Sequence, residues 1–186
     1  MFRMSKSAYF AEFIVLPGLL GALTIVACNF SEASLLGWLL AFFGGVAIWP
    51  PLEYLIHRIV FHHVQPFVAF HLEHHHAPLA LIGAPAWASF VAAIFVLLPL
   101  WILIGLPAAT GATAGLSTGY LFYVLVHYAV HHRRPKRGSY LQRAQVRHLR
   151  HHHMPESGNF GVTTGLWDRC FGTVIGRVSR GDISAA

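Results

Sequence analysis

The segments FHLEHHHAP at residues 70–78 and RHLRHHHMP at residues 147–155 carry one signature: His-x-x-His-His-His, one residue, then proline. They interrupt a chain that is 55% hydrophobic and 11% charged, where ordinary soluble domains carry about 25% charged residues. The mean hydropathy is +0.55. The chain therefore has little surface suited to water, and what polar chemistry it has is concentrated in histidine.

Four apolar stretches, near residues 8–28, 35–56, 86–106 and 108–130, account for the composition. Each has about the twenty residues a bilayer-crossing helix requires. The first differs from a cleaved signal peptide in its long apolar run and in Glu12 near its start. The cations sort to one side. Arg3 and Lys6 precede the first stretch, Arg58 ends the second, and Arg133, Arg134, Lys136, Arg137, Arg143, Arg147 and Arg150 follow the fourth, with Arg169, Arg177 and Arg180 beyond. The connectors NFSEAS and GLPA contain no Lys or Arg. This distribution predicts an all-α membrane protein of four transmembrane helices, one domain over residues 1–186, with both termini cytoplasmic. Cytoplasmic histidine-rich regions at 57–85 and 127–186 would form a di-metal cap. The same distribution explains the net charge of +6 without nucleic acid. Cys28 and Cys170 fall on opposite sides of the membrane in this topology, so no disulfide is expected.

All 14 histidines fall within 57–76 and 127–153. His71, His74 and His75 are spaced i, i+3, i+4, as are His148, His151 and His152, while His127 and His131 are spaced i, i+4. On an α-helix each such set shares a face. His57 and His62 are five apart, about 140° on an ideal α-helix. That predicts His57 on the end of the second span and His62 where the chain has left it, or two residues serving different metals. Neutral imidazole suits iron, zinc, copper and nickel. One ion takes about four to six ligands, so these ten histidines are too many for one ion and suit two. A di-haem cytochrome would need only axial histidines facing each other inside the bilayer. A zinc transporter would carry ionisable residues along its mid-membrane helices, and the third and fourth stretches have none before His127.

The four clusters, His57-x4-His62, His71-x2-His74-His75, His127-x3-His131 and His148-x2-His151-His152, resemble those of the fatty acid hydroxylase and sterol desaturase superfamily. The segment NFGVTTGLWDRCFGT at 159–173 is similar to the family's sequence after its last cluster, and the resemblance spans roughly residues 50–175. It implies an O₂-dependent, di-iron oxidoreductase of lipid metabolism, with those ten histidines as metal ligands and zinc able to replace iron in a purified sample. No catalytic residue beyond the ligands is implied. The substrate would be a bilayer lipid, hydroxylated at an unactivated C–H bond. A cytochrome-type His-Pro-Gly-Gly stretch does not occur, so electrons are expected from a separate ferredoxin- or cytochrome-type donor with its reductase. The alternatives are a carotenoid ring hydroxylase, a lipid or sterol desaturase, and, from another class, a non-catalytic metal-binding or transport protein.

Several residues invite a supporting role. Glu53, one turn before His57, is placed to accept a ligand histidine's Nδ1–H or to pair with Arg58. Asp168 matches a family position and is expected to pair with arginine or orient a ligand. His63, His76, His132 and His153 are expected to face away from the metals, as is Glu73. Gly111, Gly115 and Gly119 form a small-residue stripe for helix packing or for a homodimer face. Pro50 and Pro51 are expected to break or kink the second span. Trp49, Tyr54, Phe61, Tyr120, Phe122 and Tyr123 are candidates to line an acyl groove, with core packing as their ordinary role.

Overall fold

A computed structural model of the chain describes residues 3–29 and 34–176. Most of the NFSEAS connector, together with Arg177 and Arg180, lies outside the described residues. The described chain is helical without strands: α1 Lys6–Phe10, α2 Glu12–Cys28, α3 Leu35–Leu55, α4 Phe67–His76, α5 Ala86–Ile104, α6 Leu106–His132, α7 Tyr140–His153 and α8 Leu166–Cys170. A π-helical segment, Ile56–Phe61, extends α3.

Three stretches are long and apolar enough to cross a membrane: Lys6–Cys28, Leu35–Phe61 and Ala86–Ile104. Many of their large side chains point outward, with Leu16, Leu23 and Tyr54 among those buried. Ile14, Leu36, Phe43, Phe95 and Ile102 are all exposed, which inverts the pattern of a water-soluble domain and suits lipid. The fourth expected span, α6, has the length at 27 residues but a different composition. Its buried face is Ala109, Thr110, Gly111, Thr113, Ala114, Gly115, Ser117 and Gly119. These small side chains make α6 the central helix, packed against α2, α3, α5 and α7.

The glycine stripe is used inside the chain. A Cβ on Gly115 would fall 2.0 Å from the Phe42 carbonyl oxygen, and one on Gly119 would fall 2.3 Å from Trp49 Cβ. Backbone thus lies against backbone along the α3–α6 seam. The turn into α6 follows from Gly105, at φ +78°, and Pro107 in the helix's first turn.

Two expectations are corrected. α3 runs unbroken through Pro50 and Pro51. The helix also does not end near His57: it continues as the π-helical segment to His62. Hydrogen bonds in a π-turn link residues five apart, so an i, i+5 pair returns to one face. The ends of the α3 extension and of α6, together with α4 and α7, meet at one end of the bundle.

Candidate metal centre

Each helix at this end delivers imidazoles in the helical register the spacing predicts, and the helices then divide them. His57, His62, His71, His75 and His151 form one set, and His74, His131, His148 and His152 another; within each, one ring nitrogen per residue lies within 4.8 Å of all the others. α4 therefore splits, giving His71 and His75 to the first set and His74 to the second. α7 splits likewise, giving His151 to the first and His148 and His152 to the second. His127 borders the second set, with its Nε2 3.0 Å from that of His74 and its ring stacked on Tyr123. All ten predicted ligands are thus gathered. His63, His76 and His153 are exposed and His132 stacks on Tyr128; none of these joins either set.

The first set converges on His71, whose Nε2 lies 3.0 Å from that of His57, 3.1 Å from that of His62 and 2.9 Å from that of His75. One N–H cannot serve three such neighbours. His57 Nδ1 donates to the Phe160 carbonyl at 2.5 Å, and His151 Nδ1 donates to the Gly158 carbonyl at 2.9 Å. A neutral ring protonated at Nδ1 carries a bare lone pair at Nε2, so both residues aim lone pairs into the set. His62 Nδ1 faces the Glu156 carboxylate at 3.6 Å. Burial, reinforced by neighbouring imidazoles, pushes His74 to about 3 and His75 to about 4. It brings His151 to about 3 and holds His71 and His152 far below the ordinary range. Neutral, buried or half-buried and mutually facing, this donor set fits transition-metal cations.

The loop between α7 and α8 holds that geometry. Asp168, fully buried, accepts from the backbone N–H groups of Phe160 at 2.8 Å and Gly161 at 2.9 Å, and from the Thr173 hydroxyl at 2.9 Å. It fixes the carbonyl that His57 uses, through the main chain rather than by touching the ring. Glu53 meets neither expected partner. Its carboxylate accepts from Val162 N–H at 2.7 Å, Thr163 N–H at 2.9 Å, the Thr163 hydroxyl at 2.5 Å and the Trp49 indole at 3.2 Å. Arg58 instead donates to the Tyr54 hydroxyl at 2.9 Å. Glu73 pairs with Arg3 at 3.3 Å. The orienting carbonyls of Phe160 and Gly158 leave no side-chain signal in sequence.

A cavity of about 420 Å³ opens against the centre, lined by His71, His74 and His127 and by Phe61, Tyr120 and Tyr123 among others. Of the remaining candidate groove aromatics, Tyr54 is buried against Phe171, Trp49 packs on the glycine stripe and Phe122 is exposed.

Residues 42–173 match the family model described as fatty acid hydroxylase. A fatty acid 2-hydroxylase of Macaca fascicularis is 39% identical over 145 residues, which are 70% of this chain and 38% of that protein. A dihydroceramide fatty acyl 2-hydroxylase of Arabidopsis thaliana is 35% identical over 178 residues, 88% of this chain and 71% of that one. The chain thus spans well under half the length of the mammalian relative. A solved structure titled full-length scs7p, with only the hydroxylase domain visible, shares the fold at a TM-score of 0.76 and 24% identity, over 94% of this chain and 68% of that one.

Proposed function

The chain belongs to the fatty acid hydroxylase family, and on that premise we propose that it is a membrane-bound di-iron oxygenase hydroxylating an unactivated C–H bond of a lipid acyl chain. The observation that carries this reading is the shared wall: a largely apolar cavity meets the histidine centre at His71, His74 and His127. A storage or transport site has no need of an acyl-sized pocket beside its ligands.

His57, His62, His71, His75 and His151 hold one ion in this reading, and His74, His131, His148 and His152, with His127, hold the other. Zinc takes the same sites in a purified sample, since imidazole suits both metals. Bound iron supplies activation of O₂ and oxidation of the C–H bond; one oxygen atom enters the lipid and the other leaves as water. The chain's own residues do the positioning. Phe61, Tyr123 and Val124 wall the acyl chain beside the ligands and exclude water, while the 158–163 loop fixes the imidazoles.

In this reading the four long helices belong to one membrane domain over residues 1–186 with both termini and the centre on the cytoplasmic side, a topology supported by the distribution of basic residues. Electrons come from a ferredoxin- or cytochrome-type donor outside these residues, for which Arg133, Arg134, Lys136 and Arg137 offer an acidic partner a landing surface.

The test is an isotope experiment. Iron-loaded protein, lipid, donor and reductase under ¹⁸O₂ should yield lipid carrying one ¹⁸O atom, and omitting the reductant should stop turnover. An unlabelled product lighter by two hydrogens would assign a desaturase. Bound metal with no lipid product would assign a binding or transport role.

A further inference from the structure

The cavity beside the histidine centre is not apolar throughout. Glu12, the first residue of α2, lines it and is only 3% exposed. The Ser89 hydroxyl, from α5, donates to Glu12 Oε1 and stands 3.5 Å from the Tyr120 hydroxyl of α6. Glu12 Oε2 is buried with no hydrogen-bond partner among the described residues, and no Lys or Arg lines the cavity. A carboxyl oxygen buried in apolar surroundings without a partner is costly. A ligand that supplies the missing partner removes that cost.

We propose that Glu12, with Ser89 and Tyr120, forms a polar subsite that anchors a hydroxyl or amide group of the lipid and thereby fixes which carbon reaches the histidine centre. The carboxyl positions rather than reacts. Tyr120 precedes His127 by seven residues on α6, about 10 Å along the helix axis. A lipid held at this subsite therefore presents carbon near its polar group, rather than its distant methyl end. A hydroxyl or amide both donates and accepts, so it satisfies the trio as an ester cannot. That the ligand is a lipid rests on the hydroxylase reading.

The experiment compares two lipids of one brominated acyl chain, an N-acyl amino alcohol and the methyl ester, on the metal-loaded full chain in nanodiscs. Trp87 lines the same cavity, so bromine quenching of its fluorescence, taken as the difference from Trp87→Phe, reports binding without turnover. The wild type should bind the amide about tenfold more tightly than the ester, as one net hydrogen bond allows. Glu12→Leu should bind both equally, and Glu12→Gln should keep part of the preference. Equal binding by the wild type, or a preference that survives Glu12→Leu, overturns the proposal. Should Glu12→Leu fail to fold, Ser89→Ala decides: losing the hydroxyl that orients the carboxyl should cut the preference about threefold, and an unchanged preference counts against the subsite. If the trio merely ties α2, α5 and α6 together, its variants lower the melting temperature and leave lipid preference intact, which also overturns it. Preference without any hydroxylated product would sink the hydroxylase reading and leave the subsite standing; product without preference would do the reverse.

Discussion

His57 Nδ1 donates to the Phe160 carbonyl across 103 residues of chain, and Asp168 holds the same residue's N–H at 2.8 Å. The imidazole is thus aimed by a carboxylate it never touches. Asp168→Asn presents an amide N–H₂ to backbone donors and frees the Phe160 carbonyl to turn. Loss of such orienting partners typically weakens metal binding about 10–100-fold. Titrating metal into the stripped variant should show that loss at one of two sites. Unchanged affinity at both would mean that the loop does not govern the centre.

The division of histidines predicts separable losses. His151→Ala removes a member of the five-residue set and His131→Ala a member of the four-residue set. Elemental analysis should find about two ions per wild-type chain, a shortfall in each single variant and a deeper one in the double variant, with His132→Ala unaffected. A chelator should act first on the second set, because Nδ1 of three of its members, His74, His148 and His152, finds no acceptor among the described residues, against His75 alone in the first set, which is also oriented at His57 and His151. Full occupancy in all the variants would dismiss these ligands.

The glycine stripe sets how closely the two ligand-bearing helices approach. Gly115→Ala puts a Cβ 2.0 Å from the Phe42 carbonyl oxygen, and backbone cannot yield as a side chain can. Overpacking of this kind costs about 1–3 kcal/mol. Since α3 leads into His57 and α6 carries His127 and His131, the variant should melt earlier and hold less metal. Gly44→Ala, with nothing within 4 Å of the added carbon, is the matched control. Equal melting temperatures for the two would show that the seam tolerates separation.

That these histidines would converge was legible in the sequence because i, i+3, i+4 spacing maps directly onto a helix face. How they divide into two sets was not. His74 and His75 are adjacent in sequence yet belong to different sets, and only the packing of α4 between the α3 extension and α7 decides that. The His57–His62 pair was misread because ideal α-helical geometry cannot anticipate a π-turn. Pro50 and Pro51 do not break α3, which continues through them. For α6, length and position were legible, while its central place followed from small residues that lower its apolarity. Glu53 sat at the right spacing for His57 and still turned to the loop, since three donors waited there, with the Trp49 indole on its own helix as a fourth.

Those four donors make Glu53 a sharp probe. Its two oxygens accept from Val162 N–H, Thr163 N–H, the Thr163 hydroxyl and the Trp49 indole, and the residue is 3% exposed. Three of these neighbours are N–H groups that can only donate, so Glu53→Gln, with one acceptor oxygen in place of two, strands the N–H left facing its N–H₂. Each stranded group costs about 1–3 kcal/mol, and the variant should unfold at lower denaturant. Asp168 grips residues 160 and 161 of the same loop that Glu53 grips at 162 and 163. Once either carboxylate lets go, the other has a looser loop to hold. The double variant Glu53→Gln with Asp168→Asn should therefore lose less stability than the sum of the single variants, by about 0.5–3 kcal/mol, the range for residues sharing a network. Denaturation of the wild type, both single variants and the double variant measures that difference. Additivity within about 0.5 kcal/mol would mean that the two carboxylates secure independent structure and that the loop is not one unit.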